Sequence, residues 1–155
     1  MVREIQGDLI SLLKQGVINT LIHGCNCQKV MGSGIARHIA REFPDAKEVD
    51  DTFSIVGVNR LGNYSYVTEI SSDYNRTICN FYTQYQPGPN FNILAFEVCL
   101  IKFAIHYRSC KQNLKIGIPA LIGHNMEIDT LEKVKVLLDK HLSEFDVTIV
   151  HYKQN

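Results

Sequence analysis

The chain has 155 residues, with sixteen Lys and Arg set against sixteen Asp and Glu for a formal net charge of zero. Its 45% hydrophobic and 21% charged content is that of a folded domain and excludes a disordered or fibrous chain. The balanced charge excludes a broad surface for the nucleic-acid backbone, which is bound by excess Lys and Arg. The length predicts a single domain over 1–155, long enough to bury roughly 68–70% of its unfolded surface.

Five cysteines, Cys25, Cys27, Cys79, Cys99 and Cys110, form an odd set, and Met1–Ile5 shows no leader pattern. Both features predict reduced thiols and a cytoplasmic protein. The richest apolar stretch, 91–107, is broken by Glu97 and Lys102 and falls short of the ~20 apolar residues of a membrane span.

In chain order, Val2–Ile5 predicts a short strand ended by Gly7-Asp8, and Leu9–Gln15 a short helix closed by Gly16. Val17–His23 is β-branched and apolar, the pattern of a buried strand. A loop rich in Gly, Asn and Ser follows over 24–34. Ile35, Ala36, Ile39, Ala40 and Phe43 recur at helical spacing, with Pro44 as the stop. Tyr64–Ile70 and Thr77–Tyr85 predict two more strands, and Pro87-Gly88-Pro89 breaks the chain. Asn92–Tyr107 is helical and apolar almost all round, which predicts burial deep against a sheet. Lys115–Ile122 predicts a buried strand, and Asp129 a cap for a helix carrying Leu131, Val134, Leu138 and Leu142 on one face. Val147–Tyr152 closes the chain as a strand. This alternation predicts an α/β domain with a largely parallel, doubly covered sheet.

Ligands of such sheets bind beyond the carboxyl ends of the strands, which singles out two loops. The first runs from His23 to Ala36: strand, glycine-rich loop, helix. A helix N-terminus offers unpaired N–H groups, and Gly32 and Gly34 let a phosphate approach the backbone. The same residues also suit a plain strand-to-helix turn. No Walker lysine is present, and Gly32-Ser33-Gly34 meets only half of the Rossmann fingerprint, because Arg37 stands where its third glycine belongs. The second loop, Gly123-His124-Asn125-Met126-Glu127, precedes the next helix and reads either as a second ligand loop or as an ordinary connection. Cys25-Asn26-Cys27 lacks a second ligand pair at zinc-finger spacing. Its thiols read as buried small hydrophobes, with a thiolate nucleophile as the alternative. Phe81, Tyr82 and Tyr85 read as core aromatics, with base stacking as the alternative.

The block from His23 to Phe43 resembles the macro domain family, and is most similar to its ADP-ribose 1''-phosphate phosphatases of yeast, phages and bacteria. The residues that carry the resemblance are Ile22-His23-Gly24-Cys25-Asn26-Cys27, Met31-Gly32-Ser33-Gly34-Ile35-Ala36 and Phe43-Pro44-Asp45-Ala46. Gly7-Asp8-Leu9, Ile118–Gly123 and the last strand agree with it, so it spans nearly the whole chain. The second loop departs from the family, which usually has Gly-x-Gly where this chain has Gly123-His124-Asn125.

The resemblance implies a three-layer α/β/α fold with a central mixed sheet of about six strands. It implies ADP-ribose or its 1''-phosphate as ligand, with ADP-ribosylated protein as a related partner. It implies no metal or organic cofactor, and a monomer is the expected state. Asp8 would accept from the adenine amino group and could also cap the first helix. Leu9 and Cys25 would line the ligand, and Gly32, Ser33, Gly34 and Ile35 would wrap the distal ribose and phosphate. Ile122, Gly123, His124, Asn125 and Met126 would close over the diphosphate, with Tyr152 beside adenine. Catalysis would fall to His23, Asn26 and Glu127: His23 as general acid or base, Asn26 on the ribose hydroxyls, Glu127 as a second acid/base. His23 also reads as a strand-end histidine held by the backbone. The implied activity is hydrolysis of ADP-ribose 1''-phosphate or a related ADP-ribosyl ester. A non-catalytic ADP-ribose reader is the alternative, and an NAD-dependent oxidoreductase a more distant one.

Overall fold

Asp8 and Gly16 bound the first helix. The Asp8 carboxylate accepts from the N–H groups of Ile10 and Ser11 at 3.0 and 3.3 Å, and Gly16 turns left-handed at φ 77° and donates its N–H back into the last turn. These are the two ends that such residues favour. The structure, a computed structural model, describes residues 2–122 and 128–153. In order it contains β1 (Arg3–Gly7), α1 (Leu9–Gln15), β2 (Thr20–Asn26), α2 (Gly34–Glu42), α3 (Pro44–Thr52), β3 (Tyr64–Ile70), β4 (Asn75–Gln84), α4 (Ile93–Tyr107), β5 (Lys115–Pro119), α5 (Ile128–His141) and β6 (Asp146–Tyr152).

The six strands form one mixed sheet in the order β1-β6-β5-β2-β4-β3. All neighbours are parallel except the edge pair β3–β4. On one face Leu9, Leu13, Leu21, Ile39, Phe43 and Ala46 form a core under α1, α2 and α3. On the other, Ile22, Phe81, Phe96, Leu100, Phe103 and Leu138 form the core under α4 and α5. Adjacent residues Leu21 and Ile22 thus serve opposite cores, which is why β2 reads as continuously apolar.

Several expectations are corrected. β2 starts at Thr20 rather than Val17 and runs through Gly24 to Asn26. Its central glycine is a strand residue because the Ile122 carbonyl lies against it and leaves no room for a Cβ. Pro44 opens α3 rather than merely ending α2, since its fixed φ suits the first helical position. β5 ends at Pro119, where proline can no longer donate to a neighbour. Asp129 lies in the first turn of α5 rather than ahead of it. α4 buries one face only: Leu94 is 70% and Ile105 62% exposed.

The sheet also splits. β2 and β5 pair only at Thr20–Ile116 and Leu21–Gly117. Beyond that, β2 follows β4 as far as Gln84 and β5 follows β6 as far as Val150. The seam is held at Gly24, where an added methyl would meet the Ile122 carbonyl and lie 2.9 Å from Thr83 Oγ1. Gly24→Ala is expected to lower stability by about 1–3 kcal/mol, as overpacking does. Urea unfolding should show a lower midpoint at unchanged slope; an unchanged midpoint would contradict the seam.

Candidate functional site

The split opens at the carboxyl ends of the parallel strands, between β5 and β2. Connections leave the sheet in opposite directions there, which is the usual ligand position in an open α/β sheet. Along this edge stand Asp8 after β1, Tyr152 ending β6, Ala120–Ile122 after β5, and Asn26 ending β2. Asp8 and Asn26 are three strand intervals apart, about 14 Å. That span suits an elongated two-ribose ligand better than a mononucleotide.

The β2–α2 loop is built by Asn26. Its Oδ1 accepts from the N–H groups of Gln28 and Val30 at 2.9 and 3.4 Å, and its Nδ2 donates to the Val30 carbonyl at 2.7 Å. The neighbouring Cys27 N–H donates to the Gln84 and Tyr85 carbonyls. This amide, expected on the ribose hydroxyls, is spent largely on its own loop. Gly32, Ser33 and Gly34 are exposed. Gly34 adopts φ 58°, which favours glycine. The Ser33 hydroxyl makes no cap to α2. The first N–H groups of α2 therefore face the loop with the positive end of the helix dipole behind them.

Asp8 uses Oδ1 as a helix cap, and its half-buried carboxylate keeps Oδ2 for a further donor among the described residues. Leu9 is buried in the core, so its side chain does not line the crevice. Tyr152 is 72% exposed at the rim, whereas Ile122 is buried on Gly24. Gly123, His124, Asn125, Met126 and Glu127 lie outside the described residues.

His23 does not reach the crevice. It is fully buried on the α2–α3 side, where its Nε2 meets Asn80 Oδ1 at 2.6 Å. Burial pushes its pKa down to about 4, against a smaller upward pull from Asn80. A neutral imidazole thus donates from Nε2 to the amide oxygen, and a structural role replaces the expected acid–base one. Asn80 passes the contact on, donating to the Ala46 carbonyl at 3.0 Å and to Ser65 Oγ at 3.1 Å. Ser65 meets the Tyr82 hydroxyl at 2.7 Å, and Tyr82 donates to Asp50 at 2.8 Å. Asp50 is paired with the fully buried Arg60 at 2.9 Å. The Arg60 guanidinium also lies over the Phe53 and Tyr82 rings.

Cys25 packs beside His23 at 3.6 Å. Burial, then the Asp50 charge, push its thiol well above the ordinary range, so it stays protonated and gives no nucleophile. Phe81 and Tyr82 are core residues, and Tyr85 is half-exposed. Asn80, Asp50 and Arg60 were not singled out by sequence reasoning. Asn80 did leave a signal, as an amide inside the apolar run Ile78–Phe81. Thr83 is a further residue of this kind. The β2–β4 register slips between Cys25 and Asn26, leaving Thr83 as the extra residue of a bulge. Its buried Oγ1 finds no hydrogen-bond partner among the described residues.

This arrangement is the macrodomain fold. The chain matches the macrodomain of Thermus aquaticus DarG with a TM-score of 0.74 at 20% identity over 99% of each chain. It matches Thermosipho africanus DarTG, solved in complex with ADP-ribose, with a TM-score of 0.66 at 18% identity over 89% of this chain and 39% of that one. No protein-family model matches. The chain is 30% identical over 154 residues to the uncharacterized 17.5 kDa protein of the tk-vs intergenic region of Enterobacteria phage T4, covering 99% of this chain and 97% of that one. It belongs to the family of that phage protein.

Because the folded-state pKa of His23 is depressed from 6.5 to about 4, its contribution to stability is complete above pH 6.5 and is lost as pH falls toward 4. About 2 kcal/mol should disappear between pH 6.5 and 5. Urea midpoints of wild type and His23→Gln across this window should converge at the acid end; parallel curves would contradict a buried neutral imidazole. Thr83→Val should leave the urea midpoint unchanged or raise it, because it removes a hydroxyl without a partner. A fall beyond about 1 kcal/mol would reveal a bond to that hydroxyl.

Proposed function

We propose that the chain binds ADP-ribose across the β2/β5 crevice and hydrolyses an ester at the distal ribose, with ADP-ribose 1''-phosphate as candidate substrate. The observation that carries this reading is the crevice itself. A carboxylate stands at one end and the unpaired N–H groups of α2 at the other, at the switch point of the sheet. The ADP-ribose complex of Thermosipho africanus DarTG, a protein of similar fold, supports the choice of ligand. In this reading the free oxygen of Asp8 accepts from the adenine amino group. The diphosphate crosses the split toward Ile122, and the distal ribose lies over Gly32–Ile35.

Hydrolysis requires water to attack the ester phosphorus, with the proton lost from that water balanced by one delivered to the leaving ribose oxygen. The N–H groups at Gly34 and Ile35 stabilise the charge that develops on the transferring group. His23 acts at one remove, holding β2 through Asn80. The general base then falls to Glu127 or to the substrate's own phosphate. A phosphate monoester and an ADP-ribosylated protein present the same ADP-ribose handle to this site. The odd number of cysteines supports a cytoplasmic setting.

A second reading is favoured by one observation: with His23 sealed below the sheet, the described residues bring no acid–base side chain to the distal end. That arrangement suits a reader that holds ADP-ribose without turnover. An NAD-dependent oxidoreductase loses its support, because the strand order differs from the 3-2-1-4-5-6 of dinucleotide folds.

Calorimetry with ADP-ribose should give micromolar affinity, about −8 kcal/mol. Asp8→Ser keeps a capping side chain, so its melting temperature should stay near wild type while affinity drops at least tenfold. Phosphate release from ADP-ribose 1''-phosphate then separates enzyme from reader. No heat with ADP-ribose at millimolar concentration would refute both readings.

A further inference from the structure

The exposed face of α4 is a single apolar row. Leu94, Val98, Ile101 and Ile105 recur alternately four and three residues apart, and they are 70%, 40%, 40% and 62% exposed. The opposite face, with Phe96, Cys99, Leu100 and Phe103, fills the core. A solvent-facing row with this spacing is the seam of a two-helix coiled coil, in which Leu94 and Ile101 take one apolar position and Val98 and Ile105 the other. Contiguous exposed apolar surface of this kind marks an interaction site.

The charges beside the row decide its occupant. At 100° per residue Glu97 lies about 70° to one side of the seam and Lys102 about 70° to the other. Glu97 precedes the seam residue Val98, and Lys102 follows the seam residue Ile101. These are the two flanking positions that meet across a parallel homodimer, from residue i of one chain to i+5 of its partner. An antiparallel pair would gather both Glu97 side chains on one flank and both Lys102 side chains on the other. Among the described residues Lys102 Nζ contacts only the neutral Asn63 Oδ1, at 2.6 Å, so its charge lacks a carboxylate. Glu97 faces His141 at 2.7 Å and the Lys140 ammonium at 3.5 Å on α5, and its side chain keeps 25% exposure.

We infer that the Leu94–Ile105 row of α4 is a self-association surface, on which two copies of this chain pair with parallel α4 helices and Glu97 of one beside Lys102 of the other. The expected monomer thus becomes a concentration-dependent dimer. The helix is about 22 Å long, so the pair buries less than the roughly 1,000 Å² of a stable interface. Its self-association is accordingly expected to be weak and to show only at high protein concentration. A two-fold axis along α4 runs beside the strands, which sets both crevices on the same end of the dimer. The inference is independent of the ligand.

The test uses the full chain in a Cys110→Ser background, which removes the one free cysteine that is not buried. Leu94→Cys and Ile105→Cys, each alone, are oxidised at several hundred micromolar protein. The parallel pair sets like sites side by side, so each variant should yield a disulfide-linked dimer. Val136→Cys, exposed on α5, should not. In an antiparallel pair like sites stand about 16 Å apart, beyond the ~7 Å that a disulfide spans. Linkage only in a mixture of the two variants would therefore overturn the parallel arrangement. Sedimentation equilibrium should show the wild-type mass rising with concentration and Ile101→Glu staying monomeric at an unchanged melting temperature. Monomeric wild type throughout, with no site-specific linkage, would overturn self-association and leave the row to a different protein.

Discussion

The short contact between β2 and β5 is the constraint on which the site depends. Two residue pairs, Thr20–Ile116 and Leu21–Gly117, hold the halves of the sheet together before they part. Gly24 then lets the Ile122 backbone settle onto β2. The crevice is thus a defect of pairing that the chain maintains. Its walls are the ends of parallel strands, where helix N-termini and loop N–H groups collect. A neutral chain can hold a dianionic ligand in this way, because backbone dipoles supply the positive potential that a basic surface would otherwise provide.

Below the crevice, β2 is held by polar contacts as well as by apolar packing. The line His23–Asn80–Ser65–Tyr82–Asp50–Arg60 joins β2, β4, β3 and α3. Arg60 donates also to the Ile55, Asp50 and Phe53 carbonyls. A buried ion pair contributes little net stability, but removing one partner leaves a buried charge that costs about 3–5 kcal/mol. The network therefore specifies one arrangement of β2 beneath the loop that carries Gly32–Ile35. Its hydrogen bonds are buried on the α2–α3 side of the sheet.

Much of the fold is legible in the sequence, because it rests on local signals. Leu9–Gln15 with its flanking Asp8 and Gly16, Tyr64–Ile70 and the helix after Asn92 carry their own caps or periodicity. Their alternation predicts a largely parallel, doubly covered sheet, and the resemblance to macro domains implies the three-layer architecture with a mixed sheet. The misreadings have tertiary causes. Gly24 reads as a loop residue until Ile122 is known to lie against it. Pro44 reads as a stop because a helix end and a helix start share its fixed φ. The apolar character of α4 predicts burial on all sides, whereas one face lacks a partner within the chain. At the carboxyl edge Asp8 follows β1, Gly32–Ile35 lead into α2, and Ile122 lies against Gly24. His23 and Asn26 also lie near the loop, but their hydrogen-bonding groups turn inward, toward Asn80 and Val30. Residue type and spacing do not report the direction of a side chain.

In the proposed function, ligand binding belongs to the backbone around the β2/β5 split, while His23 serves the scaffold below it. A 15N-edited NMR titration with ADP-ribose tests this most directly. Large amide shifts are expected at Gly32–Ile35, at Ile122 and at the start of α1, together with an unchanged tautomer and pKa of the His23 ring. Shifts confined to other parts of the sheet, or titration of His23 near neutral pH in the bound state, would contradict the account.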